Sequence, residues 1–134
     1  MIRLLSLTLA LFTLAACDAA DPDDDAPPIP QSVAGTWEGA ITHANPALDG
    51  TLVLSITQVD RAITGQARWT FSGRTITGSL LGTVPANGPV TYTLNFGNDG
   101  RYLHDMTLDG RTLRGTWVSE RTAGVNGTST LTRN

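Results

Sequence analysis

Between Ala34 and Thr132 the apolar residues of this chain return at every second position, and that period constrains its fold more than any other feature. Ile63, Gly65, Ala67, Trp69 and Phe71 alternate with Thr64, Gln66, Arg68 and Thr70. Ile76, Gly78, Leu80, Gly82 and Val84 alternate with Thr77, Ser79, Leu81 and Thr83. Val90, Tyr92, Leu94 and Phe96 do the same against Thr91, Thr93 and Asn95, and Leu113, Gly115 and Trp117 against Arg114, Thr116 and Val118. Further strands are expected at 35–43, 51–59, 101–108 and 125–132. Asp49-Gly50, Asp60-Arg61, Ser72-Gly73, Asn87-Gly88, Asp99-Gly100 and Asp109-Gly110 punctuate the runs, and Asx-Gly pairs supply the positive φ of tight hairpins.

No connection is long enough for a crossover helix, so neighbours should pair antiparallel, with one longer loop from His43 to Gly50. Eight amphipathic strands without a helix must cover their own apolar face. The expected fold is all-β: an eight-stranded antiparallel up-and-down meander closed into a small barrel, which also removes both sheet edges. Glycines on the apolar face (Gly39, Gly65, Gly78, Gly115, Gly127) should let strands bend and let rings from the far wall enter. A two-sheet sandwich is the competing arrangement. An outer-membrane barrel would gather its aromatics in two girdles, whereas Trp69, Tyr92 and Trp117 fall within strands.

The first residues carry a different pattern. Arg3 precedes an apolar run from Leu4 to Leu14, too short for the ~20 residues of a membrane-spanning helix. Leu14-Ala15-Ala16-Cys17 follows and resembles the lipobox of bacterial lipoproteins. That resemblance implies cleavage before Cys17, a thioether-linked diacylglycerol on its sulfur and N-acylation. Cys17 is the sole cysteine, so it has no disulfide partner, and lipidation gives that thiol a role. Residues 18–30 hold five aspartates and four prolines, an extended tether that reaches up to ~40 Å at ~3.3 Å per residue. The expected organisation is a signal peptide at 1–16, a lipidated Cys and acidic linker at 17–32, and a barrel at 33–134. The protein is then exported and anchored in the bacterial cell envelope facing the periplasm. In enterobacterial lipoproteins an Asp after the Cys favours inner-membrane retention, so Asp18 points to that leaflet without deciding it.

Charge excludes one class of partner. All nine basic residues are Arg, and from Gln31 onward eight Arg face seven acids. The basic surplus that drives phosphate binding is missing, so nucleic acid is not an expected partner.

Catalytic and metal-binding patterns are also missing from the sequence. His43 and His104 lack paired-ligand spacing, Asp23-Asp24-Asp25 lacks the rest of a calcium loop, and there is no nucleophile elbow. No metal, cofactor or enzymatic activity is expected. His104 alternates with Tyr102 and Met106, so it should point inward, bonded to a backbone carbonyl or a Tyr hydroxyl. Asp105 should face the other way.

Gly35-Thr36-Trp37 at the head of a β-meander is similar to the opening of the calycin group, which includes lipocalins, fatty-acid-binding proteins and avidins. The resemblance implies that Trp37 plugs one barrel end as a packing residue. A barrel of eight strands either fills its interior or holds one small ligand. If it binds a small apolar molecule, Trp69, Tyr92, Tyr102, His104 and Trp117 are the expected contacts. The expected function is a membrane-anchored, non-catalytic barrel that binds a small apolar ligand or an envelope component. The alternative is a protein-binding module resembling the small barrel metalloprotease inhibitors of the bacterial periplasm, whose N-terminal segment enters the protease cleft.

Overall fold

The computed structural model describes residues 31–134, so the expected signal peptide, Cys17 and the expected tether at 18–30 lie outside the described residues. Eight strands follow in order: Gly35–His43 (β1), Gly50–Val59 (β2), Ala62–Phe71 (β3), Arg74–Thr83 (β4), Val90–Asn95 (β5), Arg101–Asp109 (β6), Thr112–Ser119 (β7) and Asn126–Arg133 (β8). Each pairs antiparallel with its successor, and β1 pairs with β8 from Trp37 opposite Arg133 to His43 opposite Gly127. The sheet is a closed barrel. Single 3-10 turns at Pro46–Leu48 and Gly97–Asp99 sit in its loops, and among the described residues there is no α-helix.

The stagger of this barrel is readable from its ladders. His43 pairs with Gly127, which leads through Trp117, His104, Tyr92, Gly82 and Ile63 to Gln58. With Gly35 opposite Ile56, Gln58 lies opposite Val33. One circuit therefore returns to the first strand ten residues earlier (43 − 33), a shear that tilts the strands and sets the width of the interior.

Turn chemistry follows the residues. Ser72 and Gly73 both take positive φ (47° and 71°), as a two-residue type I′ hairpin requires. Asp60 opens the β2–β3 turn at φ 54°. In the β6–β7 hairpin the turn falls on Gly110-Arg111, one residue later than expected, because Asp109 still pairs with Thr112. The hairpins after β2, β4 and β6 share one end of the barrel, called the floor here. The loops after β1, β3, β5 and β7 share the upper end.

The inner face is apolar on every strand. Its fully buried members include Trp37, Leu52, Leu54, Ile63, Tyr92, Met106, Leu113, Trp117 and Leu131. Each large side chain of this kind contributes about 1.5–3 kcal/mol by leaving water. At the floor the chain approaches β1 with Val33 fully buried. Trp37 Nε1 donates to the Val33 carbonyl at 2.8 Å, and the Arg133 guanidinium lies 4.6 Å above the Trp37 ring. Trp37 is a packing residue.

The glycines work differently from expectation at most positions. A Cβ on Gly39 would overlap the Thr130 carbonyl oxygen and lie 2.9 Å from Leu131 Cα; on Gly115 it would overlap the Asp105 carbonyl oxygen and lie 2.8 Å from Met106 Cα. The neighbouring strand's backbone, and not a ring from the far wall, fills the space. Gly127 and Gly78 also meet a ring, Trp117 Cζ2 and Phe96 Cδ1 each lying 2.8 Å from the missing Cβ, and both rings belong to the adjacent strand or its end. Backbone cannot yield as a side chain can. Gly39→Ala and Gly115→Ala should each lower stability by about 1–3 kcal/mol in urea melts followed by circular dichroism. Variants that melt with the parent would show that the strands do not approach this closely.

Candidate functional site

The five residues expected to meet a ligand come from four strands: Trp69 on β3, Tyr92 on β5, Tyr102 and His104 on β6, and Trp117 on β7. Period-two alternation points all five inward, and the ten-residue stagger brings them together. Tyr92 and His104 are ladder partners whose rings stack at 4.8 Å and 13°. His104 stacks in turn on its partner Trp117 at 6.5 Å. Trp69 meets Tyr102 at 5.5 Å and Trp117 at 5.8 Å, both edge to face, and Tyr102 meets Trp117 at 5.6 Å. Edge-to-face contacts of this kind add about 0.5–1.5 kcal/mol each beyond area burial.

Three further rings complete the cluster. Phe71 lies 4.8 Å from Trp69, Phe96 lies 6.2 Å from Trp69, and His43 stacks on Trp117 at 5.6 Å. Phe71 ends β3 and Phe96 directly follows β5, so the cluster occupies the upper end, opposite Trp37. His43 was not singled out from the sequence because its position at the mouth of the longest loop hides its inward parity.

Polar atoms in this cluster divide into two groups. Trp117 Nε1 donates to the Thr42 carbonyl at 3.1 Å and the Tyr102 hydroxyl to the Asp99 carbonyl at 2.8 Å. Trp69 Nε1, the Tyr92 hydroxyl and both ring nitrogens of His104 are buried with no partner among the described residues, as is Ser129 Oγ two strands away. This corrects the expectation for His104: neither a carbonyl nor a Tyr hydroxyl binds it, because Tyr92 presents its ring face instead. Burial drives the His104 pKa down to about 3 and raises that of Tyr92. Burial, and secondarily the nearby Asp99 carboxylate, raises the Tyr102 pKa. His104 is therefore a neutral imidazole at physiological pH. Asp105 is exposed on the outer face, so it does not serve as an orienting acid for His104.

Three concavities open on the outside of the barrel. A groove of about 520 Å³ runs over β4, β5 and β6 between Ala62, Leu81, Thr83, Thr91, Thr93 and Leu103. A second of about 300 Å³ lies over Val53, Gln66, Arg68 and Thr77. A third, about 200 Å³, is formed by Arg101, Glu120 and Arg121. Leu81, Thr93, Leu103 and Val118 form one cross-strand row on the outer wall, and its three apolar members are 67%, 41% and 46% exposed. The sequence carried this signal: Leu81 and Val118 are apolar at positions whose parity is outward. Among the described residues no three His, Cys, Asp or Glu side chains are grouped to hold a metal ion.

No model of a known protein family matches this chain, and no curated protein matches it.

The neutral His104 predicts a pH dependence. In the unfolded chain the imidazole takes up a proton below its ordinary value of 6.5, whereas in the folded barrel it does so only near 3. The unfolded state thus binds more protons in that window, and stability contributed by the neutral ring is full above pH 6.5 and lost as pH falls toward 3. The loss has a ceiling of about 1.4 kcal/mol per pH unit. Urea melts at pH 7.5 and 4.5 should show the parent losing about 2 kcal/mol more than His104→Phe. Equal losses in the two proteins would mean that His104 is protonated or wet in the fold.

Proposed function

We propose that this chain is a membrane-anchored lipoprotein whose barrel is a non-catalytic module that engages a component of the cell envelope from its outside. The observation carrying this reading is the division of labour between the two faces. Trp69, Tyr92, His104 and Trp117 are almost wholly withdrawn from solvent and pack on one another, while the groove over β4–β6 and the apolar row Leu81–Leu103–Val118 face outward. Contiguous exposed apolar surface on a small domain marks a contact site. A single lipid-modified cysteine would keep that surface close to the membrane.

A second reading has its own support. Unpartnered polar atoms on Trp69, Tyr92, His104 and Ser129 favour a small neutral guest carrying a hydroxyl or equivalent group within the lumen. A purely apolar guest satisfies none of these atoms.

Cys17→Ser should move the protein from the membrane to the soluble fraction of the envelope and abolish labelling by radioactive palmitate. Retention in the membrane without label would remove the lipid anchor from the account. In the same preparations, titrating small neutral ligands, both hydroxyl-bearing and purely apolar, should leave the emission of the buried tryptophans unchanged. Saturable quenching by such a ligand would replace the outer-wall reading with a lumen site.

A further inference from the structure

The described chain begins beside one end of the outer groove. Gln31 spans the floor: its carbonyl accepts from Gln58 Nε2 at 2.8 Å, and its own amide donates to the Pro85 and Gly88 carbonyls at 3.2 and 3.0 Å. Val33 is fixed beside it, its N–H donating to Gln58 Oε1 at 2.8 Å. Residue 31 is therefore held within one glutamine side chain's reach of the β4–β5 hairpin. Thr83 and Thr91, the last pair before that hairpin, form the lower edge of the groove.

The groove then rises past Leu81, Thr93 and Leu103 toward Arg101, the next outward residue of β6. Arg101 pairs with Glu120 at 3.4 Å, and Arg121 lies beside them with its guanidinium donating to the Asn98 carbonyl. Two arginines against one glutamate leave this upper station with a surplus positive charge, the nearby Asp99 carboxylate being paired with Arg74. The groove itself is uncharged and apolar over Leu81 and Leu103.

The chain immediately before Gln31 has the complementary order. Ala26-Pro27-Pro28-Ile29-Pro30 is uncharged and apolar, and Asp23-Asp24-Asp25 precedes it. Five residues on a polyproline path of ~3.1 Å each span about 15 Å. The four steps along β6 from Asp105, opposite Thr91, up to Arg101 span about 13 Å at ~3.3 Å each. Length, polarity and charge therefore run in the same direction along the wall.

We propose that the outer groove is the seat of the chain's own tether: Ala26–Pro30 lies over Thr83, Leu81 and Leu103, and Asp23–Asp25 meets Arg101 and Arg121. A seated tether leaves the barrel at its upper end, turning the aromatic cluster toward the bilayer, whereas a released one leaves from the floor.

Cysteine pairs in the full chain test the seat, because Cys17 is the only native cysteine and is consumed by lipidation in this account. Ile29→Cys with Thr83→Cys, and Ala26→Cys with Leu103→Cys, should form intramolecular disulfides several-fold faster than Ile29→Cys with Thr57→Cys. Thr57 is an equally exposed position on β2 beside Gln58. Equal rates at Thr83 and Thr57, or no coupling, would overturn the proposal. Intermolecular coupling would overturn it in favour of a second copy in the groove. Leu103→Asp, in a chain that keeps its far-ultraviolet spectrum, should raise cleavage within residues 18–30 by a broad-specificity protease several-fold, and unchanged cleavage counts against the seat. The cysteine test does not depend on an external partner, so its failure leaves the outer-wall reading standing, and failure of that reading leaves the seat standing.

Discussion

Pairing of β1 with β8 is the interaction on which the rest of this structure depends. An open sheet of these eight strands would leave one apolar face to water and two edges of unpaired backbone groups. Seven ladder pairs from Trp37–Arg133 to His43–Gly127 remove both problems at once. Closure is possible because Gly39 and Gly127 lie on that seam. There the Thr130 and Thr42 carbonyls press against positions where any side chain would collide. The same seam fixes the stagger, and the stagger decides which inward side chains meet.

From that stagger comes the character of the interior. Tyr92, His104, Trp117 and His43 fall on one ladder row, so their rings stack along a continuous line from the middle of the barrel to its upper rim. Trp69 closes over that line from β3, and Phe96 and Tyr102 close over it from the upper ends of the strands that carry Tyr92 and His104. A domain this small with no α-helix among the described residues needs such large side chains to bury enough apolar area. The unpaired polar atoms of Tyr92 and His104 work against this packing, since each buried group without a partner costs about 1–3 kcal/mol.

Much of the architecture was legible in the sequence because parity and turn chemistry are local. All eight strands fall within a residue or two of their expected spans, and the inward direction of Trp69, Tyr92, Tyr102, His104 and Trp117 follows from alternation alone. What was not legible depends on register between strands. The stacking of Tyr92 on His104 replaced an expected hydrogen bond, since parity says which face a residue takes and nothing about its ring's angle. The alignment of Leu81, Leu103 and Val118 into one outer row likewise depends on the register of β4 to β7. The hold of Gln31 on Pro85 and Gly88 joins positions more than fifty residues apart, beyond any periodic signal.

Backbone amide exchange across the seam measures the central constraint most directly. In a closed barrel the amides that cross the seam, those of Glu38, Ala40, Thr130 and Thr132 on the alternation set by Asn134 N–H donating to the Thr36 carbonyl, should exchange as slowly as those of β3 and β4. Fast exchange confined to β1 and β8, with the other strands protected, would mean an open sheet and would contradict the account of the interior built on it.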